Sequence, residues 1–138
     1  MNDEVITDVC CAIIEHKGRV LAAQRAKCTS NPEKWEFPGG KIEAAETHQD
    51  CIIREIKEEL SITVCVIRGL EPVVHNYTDK TIRLHPFICR FNGDDLDLKE
   101  HQQARWFLPS EMGHLDWSAA DIKVLKKYMG LSDYRKAP

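Results

Sequence analysis

The stretch that most constrains the fold runs from Gly39-Gly40-Lys41-Ile42-Glu43-Ala44-Ala45-Glu46 to Arg54-Glu55-Ile56-Lys57-Glu58-Glu59-Leu60-Ser61-Ile62. Wound as a helix at about 100° per residue, Thr47 to Leu60 gathers Ile52, Ile53, Ile56 and Leu60 into one apolar stripe. Beside it lie Glu55, Glu58 and Glu59, neighbours at spacings of three and four. Three carboxylates in one patch repel, so the patch weakens the free helix unless a cation relieves it. Oxygen donors of this kind suit a hard divalent ion, above all magnesium. The two glycines before the helix let backbone come close to an ion or phosphate where a Cβ would obstruct it.

The rest of the chain supplies strands for this helix to pack on. Val5 to Glu15 is β-branched and apolar with few interruptions, as expected of a strand buried on both faces. His16-Lys17-Gly18-Arg19 reads as a turn, with Gly18 free to take positive φ, and Val20 to Arg25 as the returning strand. A polar loop follows to Lys34, then a short strand, Trp35-Glu36-Phe37. Thr47 is placed to cap the helix, with Asp50 as partner. Ile62 to Ile67 reads as a strand, Val73–Tyr77 and Thr81–Phe91 as a hairpin, 92–95 as a turn, and Ala104 to Leu108 as a last strand. Pro109-Ser110-Glu111 starts a helical turn. Ser118 caps a final helix to about Met129, with Ile122, Leu125 and Met129 as its stripe. The tail from Ser132 to Pro138 is expected to fray. Strands on both sides of a central helix, with a second helix at the end, suggest a mixed sheet between helical layers, with strand order left open.

At 138 residues the chain has the size of one domain with a real core. A net charge of −3 argues against a general nucleic-acid binder, which carries a basic field. It leaves room for a small phosphorylated ligand, since a bound metal supplies local positive charge. Cys10, Cys11, Cys51, Cys65 and Cys89 sit in apolar runs, where cysteine acts as a small hydrophobe, and there is no Cys-x-x-Cys pair. The N-terminal residues lack a basic region and apolar signal core, and no apolar run nears membrane-spanning length. The expected setting is cytoplasmic and reducing.

A glycine, five residues, Glu46, seven residues, then Arg54-Glu55-Ile56-x-Glu58-Glu59-x-x-Ile62 resembles the signature box of the Nudix hydrolases. Only the glycine near its end is absent, and Ser61 stands there. From about Val9 to Tyr128 the chain is similar to the branch that includes MutT and the bacterial CTP pyrophosphohydrolases. The similarity includes Ala23-Gln24-Arg25, Trp35-Glu36-Phe37-Pro38-Gly39-Gly40, Lys99-Glu100-His101-Gln102 and Ala119-Ala120-Asp121-Ile122. The resemblance implies an α/β/α sandwich with a mixed sheet, one Nudix domain over residues 1–138, and magnesium-dependent hydrolysis of a nucleoside triphosphate to monophosphate and pyrophosphate.

It also implies site residues. Metal ligation falls to Glu55, Glu58, Glu59, the Gly39 carbonyl and a distant carboxylate matched by Glu100. The magnesium could be replaced by manganese. Glu55 is the favoured base, with Glu100 its rival. Arg54 is expected to pair with Glu58 and orient the cluster, and Glu46 to support the metals from the helix start. Arg25 matches a phosphate-binding arginine, although a solvated strand-end arginine would look the same. Phe37 and Tyr77 match walls of a base pocket, although strand aromatics also pack cores. Asp121 matches the position that reads the base edge. An ionised carboxylate only accepts hydrogen bonds, which points to an amino-bearing base such as cytosine in CTP, dCTP or a 5-substituted form. The alternatives are sanitisation of oxidised purine triphosphates, a nucleotide sugar or dinucleotide substrate, and a non-catalytic Nudix-like module. The residues alone also allow Asp121 to complete a capping box with Ser118. The histidines, lacking metal-ligand spacing, read as surface or core residues. The partner is a small nucleotide rather than a nucleic-acid polymer or membrane, and the protein is a monomer or homodimer.

Overall fold

The computed structural model describes residues 5–93 and 101–131. The expected frayed tail and the Glu100 assignment lie outside them, as does part of the 92–95 turn. The strands are β1 (Ile6–His16), β2 (Arg19–Arg25), β3 (Trp35–Glu36), β4 (Gly39–Lys41), β5 (Cys65–Gly69), β6 (Val73–Asn76), β7 (Thr81–Arg90) and β8 (His101–Phe107). The helices are α1 (His48–Leu60) and α2 (Ala119–Met129), with a short 3₁₀ helix at Pro109–His114.

The sheet is mixed, in the order β3-β2-β1-β7-β5, with β4 on β1, β6 on β7 and β8 on β2. β1 runs parallel to β7 from Ile6↔Thr81 to Glu15↔Arg90, and the other pairings are antiparallel. Alternation along the buried strand β1 explains the sandwich. Cys10, Ala12 and Ile14 face α1 and pack with Cys51, Ile52, Ile56 and Leu60. Cys11 and Ile13 face the other way, into a core with Val124, Leu125 and Tyr128 of α2. One strand thus serves two cores.

β1 and β2 are joined by a tight turn in which both Lys17 (φ 52°) and Gly18 (φ 76°) are left-handed. Their register is paired only near that turn, at Glu15↔Val20 and His16↔Arg19. Further along, the chain from β3 crosses over, so that β4 pairs with the middle of β1 through Cys11↔Gly39, Cys10↔Gly40 and Val9↔Lys41. The sequence reading had no strand at β4. Its two glycines carry no β propensity, and tertiary pairing alone makes it extended.

Several expectations are corrected. Ile53 is exposed, and Cys51 is buried on α1 in its place, because Cys51 lies under the carbonyls of Gly40 and Lys41. Cys65 is exposed on β5 rather than in an apolar core. The strand expected from Ile62 starts at Cys65, and that expected from Ala104 starts at His101. On α2, Ile122 is exposed, and the buried face is Ala120, Asp121, Val124, Leu125 and Tyr128. Looking only for large aliphatic residues hid that face, since a buried carboxylate lies in it. Among the described residues, no helix is long and apolar enough to cross a membrane.

Candidate active site

The glycine pair sets the geometry. A Cβ on Gly40 would lie 2.0 Å from Glu55 Oε1, so its absence makes the space in which the Glu55 carboxylate rests against β4. A Cβ on Gly39 would lie 1.9 Å from the Cys10 carbonyl oxygen, which lets β4 pair closely with β1. α1 then starts at Thr47, whose Oγ1 accepts the Asp50 N–H at 3.1 Å. It ends at Ser61 in the left-handed conformation, φ 59° and ψ 32°, with its N–H donating to the Lys57 carbonyl.

Arg54 is the hub of the acidic patch. Its Nε and Nη2 donate to the two oxygens of Glu46 at 2.6 and 3.0 Å, a bidentate clamp. Nη1 donates to Glu55 at 2.7 Å and to Glu58 at 3.1 Å, and Nη2 also reaches the Lys41 carbonyl. The Glu58 pairing expected from spacing is present, but Glu46 is the principal partner, a contact eight residues back that helix spacing does not show. The Arg54 guanidinium and the Glu43 N–H hold the Glu46 carboxyl down at about 2.

Glu55, Glu58 and Glu59 together offer hard oxygen donors, and with Glu46 their negative charge outnumbers the one guanidinium among them. That donor set fits a divalent cation of the magnesium class. Among the described residues, no three His, Cys, Asp or Glu side chains are gathered so as to hold a metal ion as they stand.

Beside the patch opens a pocket of about 260 Å³. Gly39, Gly40, Glu59, Arg25, Phe37, Tyr77 and Asp121 are among the residues that line it. Of the predicted site residues, then, six share one cavity: Gly39, Glu59, Arg25, Phe37, Tyr77 and Asp121. Glu46, Arg54, Glu55 and Glu58 adjoin it through the contacts described above.

Three residues the sequence reading passed over also line the pocket: Glu36, His101 and Lys80. Glu36 accepts from Arg25 Nη1 at 3.0 Å and pairs with His101 Nε2 at 2.8 Å. The His101 side chain is buried, and among the described residues its Nδ1 has no hydrogen-bond partner. A lone carboxylate between two aromatics, Trp35 and Phe37, was the available signal for Glu36. Arg25 donates further to Ser30, through Nε to the carbonyl and Nη2 to Oγ, so much of its fork is already used inside the protein.

Asp121 is buried, and its Oδ1 accepts the Phe37 backbone N–H at 2.9 Å. Burial, and next the nearby Glu36 charge, push its carboxyl well above the usual carboxylate range. The acceptor-only picture of an ionised aspartate is therefore too simple: the charged form is costly here even with the Phe37 N–H donating to it. Nor do Ser118 and Asp121 form a capping box, since the Ser118 side chain makes no cap bond.

Residues 6–128 match the family model of the NUDIX domain. The chain belongs to the Nudix family of pyrophosphohydrolases. Nudix hydrolases generally use divalent metal ions. This Nudix chain is 34% identical over 131 residues to the CTP pyrophosphohydrolase of Escherichia coli strain K12, covering 94% of this chain and 96% of the relative. It is 29% identical over 116 residues to the 8-oxo-dGTP diphosphatase of the same strain, covering 83% and 89%. Among solved structures, the solution structure of the E. coli ORF135 protein matches with a TM-score of 0.80 and 31% identity, over 98% of this chain and 96% of that one.

Proposed function

We propose that this Nudix enzyme is a magnesium-dependent pyrophosphohydrolase that cleaves a nucleoside triphosphate to the monophosphate and pyrophosphate. Cytosine nucleotides (CTP, dCTP or a 5-substituted form) are its preferred substrates. One observation carries the reading. A single pocket is lined by Gly39, Gly40 and Glu59 from the glycine-and-carboxylate region and by Phe37, Tyr77 and Asp121 from the opposite core. A polyphosphate and its base can share such a cavity. Its modest volume suits one nucleoside better than the two moieties of a dinucleotide or nucleotide sugar.

In this reading Glu55, Glu58, Glu59 and the Gly39 carbonyl would hold the ion, with Glu100 as a further ligand. Magnesium, when bound, supplies charge neutralisation at the phosphates and acidifies water. Glu55 accepts the proton of the attacking water, Glu100 being the rival base. Arg54, locked by Glu46, fixes the Glu55 and Glu58 carboxylates. Arg25 faces the phosphates. Residues 1–138 form one Nudix domain, acting in the cytoplasm as a monomer or homodimer on a small nucleotide.

Asp121 and the similarity to the CTP pyrophosphohydrolase over nearly the whole chain support the choice of cytosine. With Oδ1 given to Phe37, the carboxyl's remaining capacity accepts from an exocyclic amino group, which stabilises the costly charged form. A second reading, an oxidised purine triphosphate, is favoured by the upward shift of the same carboxyl. In its protonated form the acid also donates, and so meets a carbonyl edge. The test is Asp121→Asn on CTP, UTP and 8-oxo-dGTP. Base reading gives a loss of kcat/KM of at least tenfold on CTP and little on UTP. Equal small losses on all three would contradict it.

A further inference from the structure

Ser118 stands at the N-cap of α2, with φ −57° and ψ 145°. A serine there normally accepts an N–H from the first turn of its helix. This one does not, because the work is done by others. The Ala120 N–H donates to Tyr77 Oη at 3.0 Å, and Asp121, the third helical residue, turns its Oδ1 to Phe37. Ser118 itself is held in place by its backbone, whose N–H donates to the Trp35 carbonyl at 2.9 Å. The side chain is left over. Ser118 is 5% exposed, and its Oγ has no hydrogen-bond partner among the described residues. It lines the same pocket as Asp121.

A buried hydroxyl without a partner is costly, because it has lost water and gained nothing in exchange. The cost is recovered if a ligand supplies the partner. A hydroxyl brings one donor and two acceptor positions. Ser118 and Asp121 are three residues apart in the first turn of α2, so they offer the pocket two adjacent polar groups. A base edge that carries an amino group next to a ring nitrogen complements them: the amino group donates to Asp121 and the ring nitrogen accepts from Ser118.

We propose that Ser118 is a specificity-determining residue, its hydroxyl hydrogen-bonding the edge of the nucleobase beside Asp121. This rests on the reading of the pocket as a nucleotide site, but not on which base is preferred.

The experiment compares wild type, Ser118→Ala and Ser118→Gly on CTP, UTP and 8-oxo-dGTP, together with melting temperatures of the free enzymes. The hydroxyl has no partner in the free protein, so its removal in Ser118→Ala leaves the melting temperature unchanged or raised. Loss of one ligand hydrogen bond lowers kcat/KM about tenfold on the preferred nucleotide, mostly through KM, and at most twofold on the least preferred. Both variants show the same base dependence. Losses that are equal on all three nucleotides, or no loss on any, would overturn the proposal. If wild type prefers 8-oxo-dGTP, the cytosine reading falls, while a base-dependent Ser118 effect still supports this one.

Discussion

Gly39 and Gly40, which lead into the signature box, make opposite demands, and alanine at each separates them. At Gly39 an added Cβ meets backbone: the Cys10 carbonyl oxygen at 1.9 Å and Cys11 Cα at 2.7 Å. Relief requires β4 to lift off β1 by more than an ångström, which breaks the Val9–Cys11 register. Losing two or three ladder bonds at about 1 kcal/mol each destabilises by roughly 3 kcal/mol. At a few degrees per kcal/mol, the melting temperature falls by about 6–12 °C. At Gly40 the added Cβ meets only the end of a side chain, with Glu55 Oε1 at 2.0 Å and Cδ at 2.3 Å. That carboxylate can swing away, so Gly40→Ala costs under about 1 kcal/mol, and alanine's smaller unfolded-state entropy offsets part of it. Activity responds the other way. Displacing Glu55 removes a group placed by this account at the reaction, and kcat falls by about a hundredfold or more. Differential scanning fluorimetry and pyrophosphate release read the two effects. A stable Gly39→Ala variant, or a Gly40→Ala variant with unchanged kcat, would refute the reasoning.

Two further predictions concern stability away from the reacting groups. Ser61 pays about 1–2 kcal/mol for its left-handed backbone, while glycine's unfolded-state freedom costs about 0.4–1 kcal/mol. Ser61→Gly therefore raises the melting temperature by up to about 6 °C with catalysis unchanged, and a lower value contradicts this. Asp8 is held at about 2, from 3.8, by hydrogen bonds from Arg83 and His85. Its folded value is depressed, so its contribution is present above pH 3.8 and is lost as pH falls toward 2. Asp8→Asn lowers the melting temperature at pH 7, and the gap to wild type narrows through that window. A gap equally wide at both ends would contradict it.

What the sequence revealed and what it hid follow from the range of the interactions involved. Helix α1, its Thr47 cap and the Glu55, Glu58 and Glu59 patch were legible, because spacings of three and four encode helical neighbours. The two-faced burial of β1 was legible in its unbroken apolar run. The Glu46–Arg54 clamp was not, since it joins a loop to a helix across eight residues. Strand β4 was invisible because two glycines say nothing of a partner. The Glu36–His101 contact spans 65 positions and is brought about by both strands flanking β2. Asp121 was found by resemblance, but its Phe37 partner and its enclosure are facts of packing. Ser118 looked like a cap by type and position, and only the folded chain shows Tyr77 in that role.

Cleavage of a nucleoside triphosphate between its α and β phosphates with the help of a divalent ion, as proposed for this Nudix enzyme, is open to one direct test. The direct measurement is product analysis of CTP turnover by anion-exchange chromatography, with magnesium and with excess chelator. With magnesium the expected products are CMP and pyrophosphate in equal amounts, and the chelator abolishes turnover. CDP with orthophosphate as products, or undiminished turnover in chelator, would contradict it.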